Sequence, residues 1–224
     1  MNKFKQQLSI FLLIVVISGC AHPLTLKNLS NYKPIFINSE YANSVIGLSV
    51  ASSSPEEERL VLATANSLKR DGFKVIYPFF QNEENKKSVD FIIKITPSSQ
   101  FEGSGINFLI NWPGFIIFAP ALFGYSYTVN FNFDVDIADI KSNTELPRVA
   151  IPINLLIKHA DMNRTWTEIS WFEVSAIAFI GGIVFTGYDK SVTPMVLDSY
   201  ENKIGDYIAS KIASAVIANK QSKR

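Results

Sequence analysis

From Tyr125 to Ile137 the chain alternates. Tyr125, Tyr127, Val129, Phe131, Phe133, Val135 and Ile137 take every second position, and Ser126, Thr128, Asn130, Asn132, Asp134 and Asp136 take the rest. Successive strand side chains point to opposite faces, so this pattern predicts a strand with one buried and one wet face. Beyond the turn-like Lys141-Ser142-Asn143-Thr144, a second alternation places Val149, Ile151, Ile153, Leu155 and Ile157 within Arg148 to His159. It predicts a partner strand and an antiparallel hairpin. Pro152 has no backbone donor and argues for an edge or a bulge there. Shorter apolar runs at Ser44–Val50, Phe73–Tyr77 and Val89–Ile95 read as further strands, with Gln81–Lys87 as a polar loop. Trp166–Phe172 is another candidate strand.

Two segments carry helical spacing instead. Ser54, Pro55 and Glu57 form a start signal, in which Ser54 caps, Pro55 fits the first turn and Glu57 completes a capping box. Leu60, Val61, Ala65 and Leu68 then recur at helical spacing, Lys69 and Arg70 suit the negative end of the dipole, and Gly72 supplies a left-handed stop. A longer helix runs from Thr193 or Pro194 to about Asn219, marked by Val196, Leu197, Tyr200, Ile204, Tyr207, Ile208, Ile212, Val216 and Ile217, and a polar tail, Lys220–Arg224, follows. The order opens β-α-β-β. The expected fold class is α+β, an antiparallel or mixed sheet with two helices packed on one face, as a single domain over 40–219.

The N-terminus changes where such a domain would work. Lys3 and Lys5 precede an apolar run, Leu8 to Ile17, interrupted only by Ser9, which fits a secretory h-region and is too short to span a bilayer. The run ends Ile17-Ser18-Gly19-Cys20, and Cys20 is the sole cysteine. That ending resembles the lipobox of bacterial lipoproteins. The resemblance implies a signal peptide over 1–19, a diacylglycerol and an N-acyl lipid on Cys20, and a mature chain beginning at that residue. Each buried methylene contributes about 0.8 kcal/mol, so two or three acyl chains on one cysteine anchor essentially permanently. The same resemblance implies that an aspartate after the cysteine would retain the protein in the inner membrane; Ala21 favours the outer membrane. Residues 20–39, with Pro23, several Asn and His22, read as a lipidated tether, with His22 a linker residue.

Composition narrows the classes. At 47% hydrophobic and 18% charged residues the chain is too apolar for disorder, and a net charge of +1 gives no nucleic-acid surface. One cysteine and two histidines exclude an internal disulfide and a structural zinc site. No G-x-S-x-G is present, Gly103-Ser104-Gly105 reads as a flexible turn, and the G-x-G pattern lacks the rest of a nucleotide-binding fingerprint. His159 near Asp161 reads as a structural pair, and Asp134, Asp136 and Asp139 as acids of a wet strand face rather than a cation site. The expectation is a protein that is not an enzyme, with no metal and no cofactor beyond the covalent lipid.

Two segments are too apolar for ordinary connections. Residues 106–123 (INFLINWPGFIIFAPALF) contain Pro113 and Pro120, which would break a spanning helix, and residues 174–185 (VSAIAFIGGIVF) are too short to cross. They either pack inside the fold or form an apolar surface, with Trp112, Phe115, Phe118 and Phe123 contacting the membrane or a partner. Gly103 to Tyr125, RTWTEISWF at Arg164–Phe172, Gly181-Gly182 with Tyr188-Asp189, and the C-terminal helix together resemble an uncharacterised family of Gram-negative outer-membrane lipoproteins. More distantly, the plan is similar to envelope lipoproteins such as the curli secretion channel subunit. That family brings no established activity; the lipobox-like ending, the missing catalytic constellation and the apolar segments together give the expectation of an outer-membrane lipoprotein on the periplasmic face that acts by binding or assembly, with envelope protein partners or as a homo-oligomer. Two alternatives stand beside it: a membrane-inserting subunit of an oligomeric channel or secretion assembly, and an envelope hydrolase using Ser104 or His159 with Asp161.

Overall fold

The computed structural model describes residues 22–34, 44–52, 54–104, 125–160 and 192–222. Its elements are β1 (His22–Lys27), a 3-10 turn (Leu29–Asn31), β2 (Val45–Val50), α1 (Pro55–Arg70), β3 (Lys74–Ile76), α2 (Glu83–Lys86), β4 (Phe91–Gly103), β5 (Tyr125–Asp139), β6 (Thr144–Glu145), β7 (Val149–Ala160) and α3 (Val192–Ser222). The candidate strand at Trp166–Phe172 and both apolar segments lie outside the described residues.

The strands order as β1-β7-β5-β4-β2-β3, with the two-residue β6 paired to the end of β5. Pairing is mixed. β2 runs parallel to β3 and to β4, whereas β1 is antiparallel to β7 and β6 to β5. The expected strand partners β5 and β7 are neighbours, and the expected turn between them is built by Asp139, whose carboxylate accepts the Ser142 N–H at 3.2 Å, and by Asn143 at φ 47°.

Parity decides what each strand buries. Val129, Phe131, Phe133, Val135 and Ile137 of β5, Phe91, Ile93 and Ile95 of β4, and Ile151, Ile153, Leu155 and Ile157 of β7 are all buried. Ile46 and Leu48 of β2 lie beside Phe91 and Ile93 and share their face. Both long helices cover that face. Glu57 of α1 accepts a hydrogen bond from Ser99 of β4, and Asn219 of α3 donates to Asp139 of β5. The helices also touch: a Cβ on Gly205 of α3 would stand 2.7 Å from the carbonyl carbon of Ala63 in α1. Arg59 pairs with Asp198 and Glu201, and Arg70 with Asp206, along the same seam. Removing each aliphatic side chain from water stabilises the fold by about 1.5–3 kcal/mol, which makes this face the core.

A second, smaller cluster occupies the opposite face. Gly47 lies beside Ile92, and Phe79 covers it so closely that a Cβ there would meet the ring at 2.7 Å. Val89 and Ile92 complete the cluster, with Val45, Ala138 and Ile140 packed against it.

Helix α1 starts and stops where the sequence says, although one detail differs. Ser54 accepts the Glu57 N–H at 3.2 Å, Pro55 opens the first turn, and Gly72 takes φ 96° while donating to Lys69. The capping box is not closed by Glu57. Its carboxylate accepts instead from the hydroxyls of Ser52 (2.8 Å) and Ser99 (2.9 Å), and the Ser54 N–H goes to the Ser52 oxygen. At 3% exposure the Glu57 oxygens need partners inside the fold, and the two hydroxyls supply them.

Three further readings change. The polar Gln81–Lys87 loop contains α2, nucleated by Asn82, whose side chain accepts the Asn85 N–H at 2.7 Å. β4 extends past Ile95 to Gly103; β2 pairs with it only as far as Ile95, so Pro97 falls where β2 asks for no donor. The segment read as a tether over 20–39 carries β1, because the outer side of β7 offers unpaired backbone groups that any extended segment can satisfy.

The chain groups into two compact units. One is Asn28–Gln100, Asn130–Asn154 and Thr193–Arg224; the other is Met1–Lys27, Phe101–Val129 and Leu155–Val192. β4, β5 and β7 contribute to both.

Candidate functional site

The first described residues of the chain form an edge with β7. β1 pairs with β7 as His22↔Ala160, Thr25↔Lys158, Leu26↔Ile157 and Lys27↔Leu156, with a register irregularity between His22 and Thr25. Pro23 sits in that irregularity, consistent with its missing donor. Lys27 and Lys158 are exposed.

Further along β7, Tyr32 replaces a strand partner. Its hydroxyl accepts the Asn154 N–H at 2.6 Å and donates to the Asn154 carbonyl at 3.0 Å. A strand residue points its N–H and C=O to the same side, and residues two apart share that side. Pro152 therefore falls two residues along from this phenol, at a place where β7 has no outer ladder partner among the described residues and no donor is missed. Tyr32 is fixed in turn by Tyr207 of α3, edge-on with ring centroids 5.1 Å apart, and the Lys211 ammonium lies 5.4 Å from the Tyr207 ring centre. The Asn154 amide donates to the Asn130 side chain on the wet side of β5.

That wet side, together with α2, bounds an open depression of about 720 Å³ lined by Glu83, Lys87, Lys94, Asp136, Glu145 and Arg148 among others. Arg148 holds Asp136 through two bonds, 2.6 and 3.2 Å, and the contact raises the guanidinium pKa, chiefly by that hydrogen bond and then by the carboxylate's charge. Lys86 pairs with Glu83 at 3.0 Å. The charges largely neutralise one another. The depression brings polar groups of both signs together without placing a nucleophile against a base.

The residues singled out in the sequence are distributed as follows. Ile17, Ser18, Gly19 and Cys20, and Trp112, Phe115, Phe118 and Phe123, lie outside the described residues, as does Asp161. Ser104 donates its N–H to the Ser126 carbonyl at 3.0 Å, continuing the pairing of β4 with β5. His159 belongs to β7 and His22 to β1 by backbone. The three aspartates divide: Asp134 accepts from Asn132, Asp136 from Arg148, and Asp139 is buried on the other face with Ser142 and Asn219. Among the described residues no group of His, Cys, Asp and Glu could hold a metal ion.

Sequence reasoning missed Tyr32 and Glu57 as organising residues. Tyr32 stands alone between polar residues and carries no periodic signal. Glu57 was recognised as a helix-start residue, but its tie to Ser99, 42 positions away, has no local signature.

No protein-family model matches this chain, and no curated protein matches it in sequence. Among solved structures it is similar to a minor lipoprotein from Acinetobacter baumannii, at 12% identity and TM-score 0.37, covering 79% of this chain and 94% of that one. It is also similar to the rare lipoprotein B from Shewanella oneidensis, at 12% identity and TM-score 0.41, covering 79% and 98%. Both are lipoproteins by name; likeness of this degree carries no family and no activity to this chain.

Proposed function

We propose that this protein is a lipoprotein of the cell envelope, acylated on Cys20, held at the outer membrane on its periplasmic side, and working without catalysis through binding or assembly. The observation that carries the reading is the placement of the only cysteine at the end of Ile17-Ser18-Gly19-Cys20, directly after an apolar run of signal-peptide length. In this reading Cys20 supplies the thiol that takes the diacylglycerol, and Ala21 directs sorting. Trp112, Phe115, Phe118 and Phe123 are the residues assigned to membrane or partner contact. The wet face of β5 and the depression beside α2 supply polar surface for envelope partners or a second copy.

The test is metabolic labelling with an alkynyl palmitate, combined with mass spectrometry of the N-terminal peptide. Labelled protein beginning at acylated Cys20, and unlabelled precursor for Cys20→Ala, is the expected result. Label that survives Cys20→Ala, or a native product starting elsewhere, overturns the reading. Ala21→Asp tests the sorting step by moving the protein to the inner-membrane fraction. The non-catalytic part is tested by Ser104→Ala combined with His159→Ala, which should leave cellular function intact; a folded double variant without function overturns it.

A further inference from the structure

We infer that the β1–β7 edge is held directly against the phospholipid headgroups, with no free tether between the lipid and the folded chain. This rests on the acylation of Cys20 proposed above. The carrying observation is the position of β1. It begins at His22, and its first rung pairs His22 with Ala160. Only Ala21 separates Cys20 from that strand, and two residues span at most about 7 Å whatever their conformation. A chain running free to Ser44 would have allowed roughly 80 Å of reach.

The slack is removed three times over. Residues 22–27 lie in the ladder with β7, Leu29–Asn31 form a turn, and Tyr32 is bonded to both backbone groups of Asn154. The end of β7 at Ala160 therefore stands within a few ångströms of the acylated residue's reach. Thr25, whose partner is the exposed Lys158, lies about 10 Å further along the strand. Added to the ~7 Å between Cys20 and His22, that keeps Thr25 within about 17 Å of the acylated residue. The occupant of this edge is the bilayer that carries the anchor.

The test uses the full acylated protein reconstituted into vesicles of phosphatidylethanolamine and phosphatidylglycerol at about 3:1. Cys20 is the only native cysteine and is blocked by its lipid, so Lys158→Cys can carry a single fluorophore, with a nitroxide-headgroup lipid as quencher. The expected result is strong quenching that falls at least threefold when a twenty-residue Gly-Ser segment is inserted between Ala21 and His22. Thr25→Pro, which breaks the ladder beside the probe, should give a similar loss while leaving the far-UV circular dichroism unchanged. Weak quenching without the insertion overturns the inference. Strong quenching that survives the insertion also overturns it, because the edge would then be held by something other than the short link. Mass spectrometry of Cys20 in the same sample separates the cases: an acylated but unquenched protein sinks only this inference, and an unmodified Cys20 sinks the lipoprotein reading with it.

Discussion

β5 and β1 are both strands of one sheet, placed by different forces. β5 is placed by its side chains: Val129, Phe131, Phe133, Val135 and Ile137 are buried beneath the helices, while Asn130, Asn132, Asp134 and Asp136 keep partial access to water. A slip by one residue would exchange the two sets, so burial specifies the register. β1 is placed by a ladder on the outer side of β7, and the segment after it by one phenol on Asn154. A strand held by core packing resists change at each inward residue. An edge strand is sensitive at its backbone bonds and tolerant elsewhere.

The largest expected effect breaks the comparison on the β5 side. Phe133→Ala should cost about 3–5 kcal/mol in urea denaturation, because the side chain is wholly buried and leaves a cavity. Asn132→Ala beside it should stay within about 0.5 kcal/mol, as expected for a wet-face position. Equal costs at the two positions would mean that parity does not set the register. Gly205→Ala comes next, at about 1–3 kcal/mol: helix propensity favours alanine, but the new Cβ meets the Ala63 backbone, which cannot turn aside.

On the edge side, Tyr32→Phe should cost about 1–2 kcal/mol by removing two hydrogen bonds, and the Asn154 amide should exchange faster with deuterium. An unchanged exchange rate there would show that the phenol does not stand in for a strand. The smallest effect concerns Asp71, just past α1. Partial burial raises its pKa above the ordinary carboxylate value, assisted by Asp206 and opposed by Arg70. A raised folded pKa means the native state binds the proton more tightly, so stability falls as pH rises from about 3.9 through the folded value. Asp71→Asn should thus stabilise by no more than about 0.5 kcal/mol at pH 7 and by nothing below pH ~3, read as the difference between two urea titrations.

Elements that bury a periodic face were legible. β5, β7, α1 with Ser54 and Gly72, and α3 through Ile204, Ile208 and Ile212 appear where their spacing placed them. What escaped were elements whose partners are distant. Leu24-Thr25-Leu26-Lys27 alternates for only four residues, too short to separate from a linker containing Pro23. α2 depends on a single Asn82 cap inside a polar stretch, and the strand read over Val89–Ile95 continues through Pro97 because β2 stops pairing at Ile95.

The sequence by itself determined the α+β class, the inward and outward faces of β5 and β7, and the bounds of α1, because each depends on residues a few positions apart. Tertiary structure alone decided that residues 22–27 become an edge strand, that Glu57 joins α1 to β4, and that Tyr32 closes the side of β7 beyond the ladder. Those outcomes depend on backbone and polar groups finding partners 42 to 138 positions away, and no local spacing encodes such a meeting.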